Sequence, residues 1–138
     1  MASLFTRIIQ GEIPCHKLYE DQYVLAFLDI GPLSTGHALV VPKEEKVLLH
    51  ELSPASAAAL GAALPRVAAA VLKATGAHAY NVLQNNGPEA HQEVPHVHFH
   101  IIPKTADGRG LGLVWKAGKV DHAEAAQLAS RVREAMGA

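Results

Sequence analysis

Apolar residues recur at helical spacing in three stretches of the chain. The first stretch predicts a short helix from a Ser3 cap to about residue 10. The second predicts a long helix that begins after Ser53, a cap followed by proline, and stops at Gly76. The third predicts a final helix from about residue 121. Pro65 lies inside the long helix, and we expect it to kink that helix or to break it near Gly61.

Five shorter segments are rich in β-branched and aromatic residues and are bounded by turn formers, which is typical of strands. They cover residues 17–20, 23–29, 37–42, 77–84 and 96–102. The polar pair between the first two segments indicates a hairpin. Because helices are grouped between short strands, the pattern predicts an α+β fold with a mostly antiparallel sheet. We expect a single domain over residues 1–138.

Composition narrows the possible partners. Twelve Lys and Arg residues against 13 Asp and Glu give a net charge of −1, which provides no electrostatic reason to bind a nucleic-acid polymer or an anionic membrane. Cys15 is the only cysteine, so an internal disulfide is excluded and a reducing compartment is expected. Residues 1–14 contain charges and no long apolar run, which is unlike a signal peptide or an anchor. A cytoplasmic location is therefore expected.

The segment HVHFHII at residues 96–102 carries the strongest chemical signal. Side chains alternate between the two faces of a strand, so His96, His98 and His100 would share one face and apolar residues the other. A lone histidine is most often a satisfied or solvent-facing residue. Three in strict alternation against an apolar face indicate a functional site.

Two chemistries use such a row of imidazoles. One is metal ligation, with His91 on the neighbouring loop as a further candidate ligand, although residues 101–104 add none. The other is nucleophilic catalysis by a neutral imidazole, in which one ring nitrogen holds a proton and the other faces the electrophile. The residues alone leave both open.

The segment also resembles the signature of the histidine-triad (HIT) family of nucleotide hydrolases and transferases. Further matching segments occur in the family's order along residues 4–103, and residues 105–138 form an extension beyond this core. The resemblance is greatest to the histidine-triad nucleotide-binding, or purine nucleoside phosphoramidase, branch. The matching segments are FxxIIxGEIP at 5–14, YED at 19–21, AFLDI at 26–30, GHALVVPK at 36–43 and NNG at 85–87.

The resemblance implies a HIT-like fold with a long central helix and an added C-terminal helix. It implies that His98 attacks the α-phosphorus and forms a nucleotidyl-histidine that water hydrolyses. His96 and His100 would hold His98 and the phosphate oxygens, and His37 would complete the catalytic cluster. No metal and no cofactor are implied.

A second group of residues is implied to bind the substrate. Asp29 would bond the ribose hydroxyls, Asn85 and Gln92 would contact the phosphate, and an apolar slot would hold the base. The slot residues are Phe5, Ile8, Phe27 and Ile30. Each assignment has an alternative, since apolar residues serve equally as core, and Asp29 and Asn85 are turn formers in their own right.

The chain departs from the family pattern at several positions. His91 stands where relatives usually carry glycine, so its side chain must turn outward or the loop must shift. Glu93 stands where some relatives carry Ser or Thr, and its charge is expected to face away from a phosphate. Ser3 and Thr6 stand where some bacterial relatives carry two zinc-binding cysteines, so we expect no zinc.

The sequence thus predicts a metal-independent hydrolase of purine nucleoside phosphoramidates or related AMP derivatives. The resemblance implies a homodimer whose two sheets join. Three alternatives stay open at this point: a dinucleoside polyphosphate hydrolase, a nucleotide-binding protein with vestigial catalysis, and a metalloenzyme whose ligands are the histidines of the strand.

Overall fold

The computed structural model describes residues 1–137, in which helices and strands follow the order expected from the periodicities. The helices are α1 (Leu4–Ile9), α2 (Pro54–Thr75) and α3 (His122–Ala135). The strands are β1 (Lys17–Glu20), β2 (Val24–Leu28), β3 (Ala38–Pro42), β4 (Ala79–Gln84) and β5 (Phe99–Lys104). Two short 3₁₀ turns, Leu49–Glu51 and Pro88–Ala90, complete the regular structure.

Each helix begins where a side chain replaces the missing intrahelical acceptor. The hydroxyls of Ser3 and Ser53 accept backbone N–H groups of α1 and α2, and the Asp121 carboxylate does the same for α3. Gly76 ends α2 with a left-handed φ of 73°. These caps confirm the predicted helix boundaries to within a residue or two.

Of the two effects expected of Pro65, a kink or a break near Gly61, the break does not occur. α2 is one uninterrupted helix that contains Pro65. An interior proline costs about 3 kcal/mol because it removes a hydrogen bond and crowds the preceding turn. The apolar stripe that includes Leu60, Val67 and Val71 is buried against the sheet, and this burial offsets the cost. By length and hydropathy alone α2 could cross a membrane, but core helices share this property.

All five strands form one antiparallel sheet in the order β1-β2-β3-β5-β4, which confirms the predicted fold class. Its two faces carry different partners. Val24, Val40 and Ile101 pack under α2, whereas Leu39 and Phe27 pack against Phe5 of α1 on the opposite face. His100 is paired with Leu39 across β3 and β5, so both side chains lie on the α1 face.

The strand that carries the histidines is shorter at its start than predicted. β5 begins at Phe99, and the prediction of a strand from His96 was wrong. The Val97 N–H donates to the carbonyl of Lys46 at 2.8 Å, and the His96 N–H to that of Val94. His96 and Val97 are both fully buried, but their N–H groups bond to these loop carbonyls and not to a neighbouring strand.

Within residues 105–137 of the C-terminal extension, no side chain belongs to the two core clusters. None of the residues of α3 is buried. Several large apolar side chains of the extension are exposed, and they include Trp115, Leu128 and Val132. The extension contacts the rest of the chain near its start, where Gly110 packs on Pro103 and Lys104.

Candidate active site

A cavity of about 410 Å³ lies on the α1 face of the sheet. It is walled by α1, the segment after β2, the start of β3, the loop before β5 and β5 itself. Most of the predicted site residues line it. They are Phe5, Ile8, Phe27, Asp29, Ile30, His37, Asn85, His98 and His100. The structure therefore brings together segments that lie up to 95 positions apart in the sequence.

The protonation of His98 is set by a backbone carbonyl. Its Nδ1 lies 2.7 Å from the carbonyl oxygen of His96. Because a carbonyl only accepts, Nδ1 must hold the ring proton, and in the neutral ring Nε2 keeps a lone pair. Burial lowers the pKa of His98, so the ring is neutral near pH 7. His98 thus supplies an uncharged nucleophilic nitrogen at the cavity.

His37 and His100 form a directed pair of imidazoles. His37 Nδ1 accepts the Leu33 N–H at 3.1 Å, so Nε2 carries the proton and donates it to His100 Nδ1 at 2.9 Å. His100 must then hold its own proton on Nε2. Burial, with smaller contributions from the neighbouring imidazoles, lowers the pKa of His100 to about 4. The pair presents a neutral donor beside the neutral nucleophile.

His96 has a different position from the other two histidines of the segment. Its ring is fully buried and does not line the cavity. Nε2 donates to the Pro42 carbonyl at 2.8 Å, and Nδ1 lies 2.6 Å from the Ser3 hydroxyl. The predicted contact between His96 and phosphate oxygens does not fit this enclosed ring. Its backbone carbonyl, in contrast, does hold His98.

Gln92 also lies outside the cavity lining. Its Oε1 accepts the Gly87 N–H at 2.8 Å, and its Nε2 donates to the Val47 carbonyl at 2.7 Å. Both ends of the amide are used within the protein, so the predicted phosphate contact does not fit. The side chain instead fixes the loop that precedes the histidine segment.

Asp29 and Asn85 satisfy both of the interpretations that the sequence left open. One oxygen of Asp29 accepts the Gly31 N–H at 2.8 Å in a turn, while the other lies 3.5 Å from His37 Nε2. Asn85 donates to the His91 carbonyl at 3.2 Å and still lines the cavity. Each side chain therefore stabilises a loop and keeps a polar atom available to a ligand.

The apolar wall likewise serves as both core and cavity lining. Phe5 and Phe27 are buried and meet edge to face, with ring centroids 5.8 Å apart. Phe5 also packs edge to face on His98, with the centroids 4.9 Å apart. Ile30, which is 92% exposed, stands at the rim. The wall is apolar and partly aromatic, which suits the ring of a purine.

His91 and Glu93 lie on the loop beside the histidines. Among the residues described, His91 is the one non-glycine residue with positive φ, at 70°. The backbone thus keeps the conformation that favours glycine, and the His91 side chain, 82% exposed, turns outward. Glu93 is equally exposed, with a carboxylate oxygen 3.8 Å from His91 Nε2. Both still border the cavity mouth.

The potential metal ligands have little capacity left for an ion. In residues 1–137, the ligand atoms of Asp29, His37 and His100 form the one group close enough to share a metal. His37, when neutral, has no free lone pair, because Nδ1 accepts a backbone N–H and Nε2 is protonated. The hydroxyls of Ser3 and Thr6 are poor zinc ligands and are already hydrogen-bonded.

Sequence reasoning missed two contributors to the site. Glu45 bonds the start of α1, and the Leu33 N–H determines the tautomer of His37. Ser3 was recognised as a helix cap, but its bond to His96 was not. These contacts join residues that are distant in sequence or belong to the backbone, and no local pattern indicates them.

A neutral imidazole with a free lone pair beside an imidazole donor, in an apolar cavity on the sheet of an α+β protein, is an arrangement that can perform histidine-based group transfer. Residues 10–107 match the model of the HIT domain. The chain belongs to the HIT domain family. Its relatives include proteins named adenosine 5'-monophosphoramidase.

Individual relatives support this placement. An adenosine 5'-monophosphoramidase of Schizosaccharomyces pombe is 50% identical over 132 residues, which cover 96% of each chain. An adenylylsulfatase of Arabidopsis thaliana is 46% identical over 101 residues, covering 73% of this chain and 51% of the relative. A solved structure, a hypothetical protein from Leishmania major, has a TM-score of 0.91 at 52% identity and covers 98% of this chain and 96% of its own.

Proposed function

We propose that this protein hydrolyses purine nucleoside phosphoramidates, which are derivatives of AMP, through a nucleotidyl intermediate on His98. The observation that carries the proposal is the 2.7 Å bond from His98 Nδ1 to the His96 carbonyl. This bond leaves an unprotonated nitrogen at a cavity lined by further proton donors. The name of the Schizosaccharomyces pombe relative supports the same activity.

In the first step, His98 Nε2 attacks the α-phosphorus. A P–N bond to the imidazole forms while the P–N bond to the leaving amine breaks, and the amine departs with a proton from water. In the second step, water attacks the same phosphorus and gives its proton to the hydroxide left by the first step. The bond from phosphorus to His98 Nε2 breaks, its electron pair returns to the ring, and AMP is released. Two displacements let water act on phosphorus that an oriented nucleophile has already activated.

The neighbouring side chains supply binding and charge stabilisation. The proton on His100 Nε2 is available to a phosphate oxygen, and His37 holds His100 in the tautomer that donates. The free oxygen of Asp29 would accept a ribose hydroxyl, and Asn85 would support the phosphate. Phe5, Ile8, Phe27 and Ile30 would sandwich the purine. We propose no metal or other cofactor for this chemistry.

The leaving group is the least constrained part of the substrate. The exposed carboxylate of Glu93 borders the cavity, and its negative charge favours an amine leaving group over a polyphosphate or sulfate. A panel of adenosine phosphoramidate, dinucleoside polyphosphate and adenylyl sulfate separates these alternatives. Faster turnover of either anionic compound would contradict this ranking.

We further propose that the protein acts in the cytoplasm as a homodimer, without nucleic-acid or membrane partners. The exposed side chains of α3 and of the edge strand β4 support a second copy as the partner. β4 has one unpaired side in the described chain, and Tyr80 and Val82 on it are exposed.

The variant His98→Ala tests the catalytic proposal. Removing the nucleophile should lower kcat by at least ~10³-fold, about 4 kcal/mol of barrier, while AMP still binds. Release of AMP from adenosine phosphoramidate and calorimetric titration with AMP measure the two quantities. The exposed His50→Ala serves as a matched control with unchanged rate. If His98→Ala kept most of its rate, the residue would have no nucleophilic role. If a chelator abolished the activity of the wild-type protein, the reaction would instead depend on a metal.

A further inference from the structure

The cap of α1 is bonded to the histidine segment. The Ser3 hydroxyl accepts the Thr6 N–H at 3.0 Å, which is the ordinary capping bond. The same oxygen lies 2.6 Å from His96 Nδ1. Since His96 Nε2 must donate to the Pro42 carbonyl, Nδ1 is unprotonated in the neutral ring and accepts the Ser3 hydroxyl proton. One hydroxyl therefore serves the helix and the histidine at once.

Glu45 holds the backbone of Ser3 and the side chain of Thr6. Its Oε1 accepts the Ser3 N–H at 2.8 Å and also the Thr6 hydroxyl. Those two bonds lower the pKa of Glu45, so the carboxylate is charged near pH 7. Charge-assisted bonds of this kind are stronger than neutral ones. The start of α1 is thereby held to the segment that follows β3.

His96 transmits the position of Ser3 to His98. The His96 ring is locked at both nitrogens, and its carbonyl accepts the His98 Nδ1 proton. Phe5 adds a second connection, because it follows Ser3 in α1 by two residues and packs edge to face on both rings. If the start of α1 shifted, two groups that hold His98 would move with it. They are the His96 carbonyl and the Phe5 ring.

We propose that Ser3, anchored by Glu45, is a positioning residue that keeps His98 in the tautomer and orientation required for attack. It acts through His96 and α1 and does not touch the substrate. The inference rests on the proposed function for its kinetic consequence. The tautomer of His98, however, is a property of the free protein.

Three variants separate this role from ordinary helix capping. Ser3→Ala removes the hydroxyl, Ser3→Thr retains it, and Ser53→Ala removes the equivalent cap of α2, which has no contact with the site. Both alanine variants should lose comparable stability. We expect Ser3→Ala to lower kcat about tenfold with little change in KM, Ser3→Thr to restore most of it, and Ser53→Ala to leave it unchanged.

Nitrogen-15 NMR of the imidazoles in the ligand-free protein provides the readout that a purely structural role would not change. His98 should be protonated on Nδ1 in wild type and Ser3→Thr, and should become a mixture of tautomers in Ser3→Ala. An unchanged His98 tautomer in Ser3→Ala overturns the proposal, whatever the rate. If wild type releases no AMP, the proposed function fails while the tautomer shift still decides the role of Ser3.

Discussion

At the scale of single residues, the proposed function depends on which nitrogen of each histidine holds the proton. For His37, His96 and His98 the answer comes from a backbone group that can only donate or only accept. The tautomer of His100 then follows from that of His37. The identity of His98 as the central member of the set could be predicted from the sequence. Its tautomer could not, because the backbone carbonyl that determines it faces the ring only in the folded chain.

The pH dependence of the reaction follows from burial of these rings. Burial lowers the pKa of His98, His37 and His100, and that of His100 falls to about 4. Protonation would fill the lone pair of His98, so kcat/KM should hold as pH falls from 7 to below 6.5 and decline only at more acidic pH. A pH profile of kcat/KM measures this. An acidic limb with its midpoint at or above 6.5 would contradict it.

The same shifts predict the direction of stability with pH. Below about pH 6.5 the unfolded chain binds protons at these histidines while the folded chain does not. The contribution of these histidines to the free energy of unfolding should therefore be constant above pH 6.5. The free energy of unfolding should then decrease as pH falls toward 4. Urea unfolding of the wild-type protein at several pH values measures this change. It also shows over which pH range the protein stays folded for the kinetic measurements.

At the scale of elements, local signals predicted the helices well and the histidine strand incompletely. Caps such as Ser53 and stops such as Gly76 act within a turn of the chain, so the sequence contains them in readable form. The start of β5 depends instead on a bond from Val97 to Lys46, about 50 positions away. The continuity of α2 through Pro65 likewise depends on packing against strands that are distant in sequence.

Gly36 provides a prediction at this scale because it links the turn before β3 to α2. Its φ is 89°, and an added Cβ would lie 2.7 Å from Cγ2 of Thr75 and 3.2 Å from Cγ1 of Val71. We expect Gly36→Ala to lower the free energy of unfolding by about 2 kcal/mol or more, with a disturbed position for the adjacent His37.

The helical Gly61→Ala is the matched control, since nothing lies within 4 Å of its added Cβ. It should raise the free energy of unfolding by up to about 1 kcal/mol. Urea unfolding compares the two variants with wild type. Equal stability for both would show that close packing under Gly36 does not constrain the turn.

At the scale of the whole molecule, the unpaired side of β4 and the uncovered α3 remain to be explained. An open strand edge with exposed apolar residues normally pairs or is covered. We expect sedimentation equilibrium to give twice the chain mass of 14.6 kDa, and Val82→Lys on the edge to weaken the association. A monomeric wild type at micromolar concentration would contradict the proposed dimer.

The central claim is that an uncharged His98 nitrogen forms a covalent bond to the phosphorus of an AMP derivative. Rapid mixing with adenosine phosphoramidate, an alkaline quench that preserves phosphorus–nitrogen bonds, and peptide mass spectrometry test it most directly. We predict an increase equal to one adenylyl group on the peptide that contains His98, and none in His98→Ala. AMP release by the wild-type protein with no adduct at any time point, or with the adduct on another residue, would contradict the account.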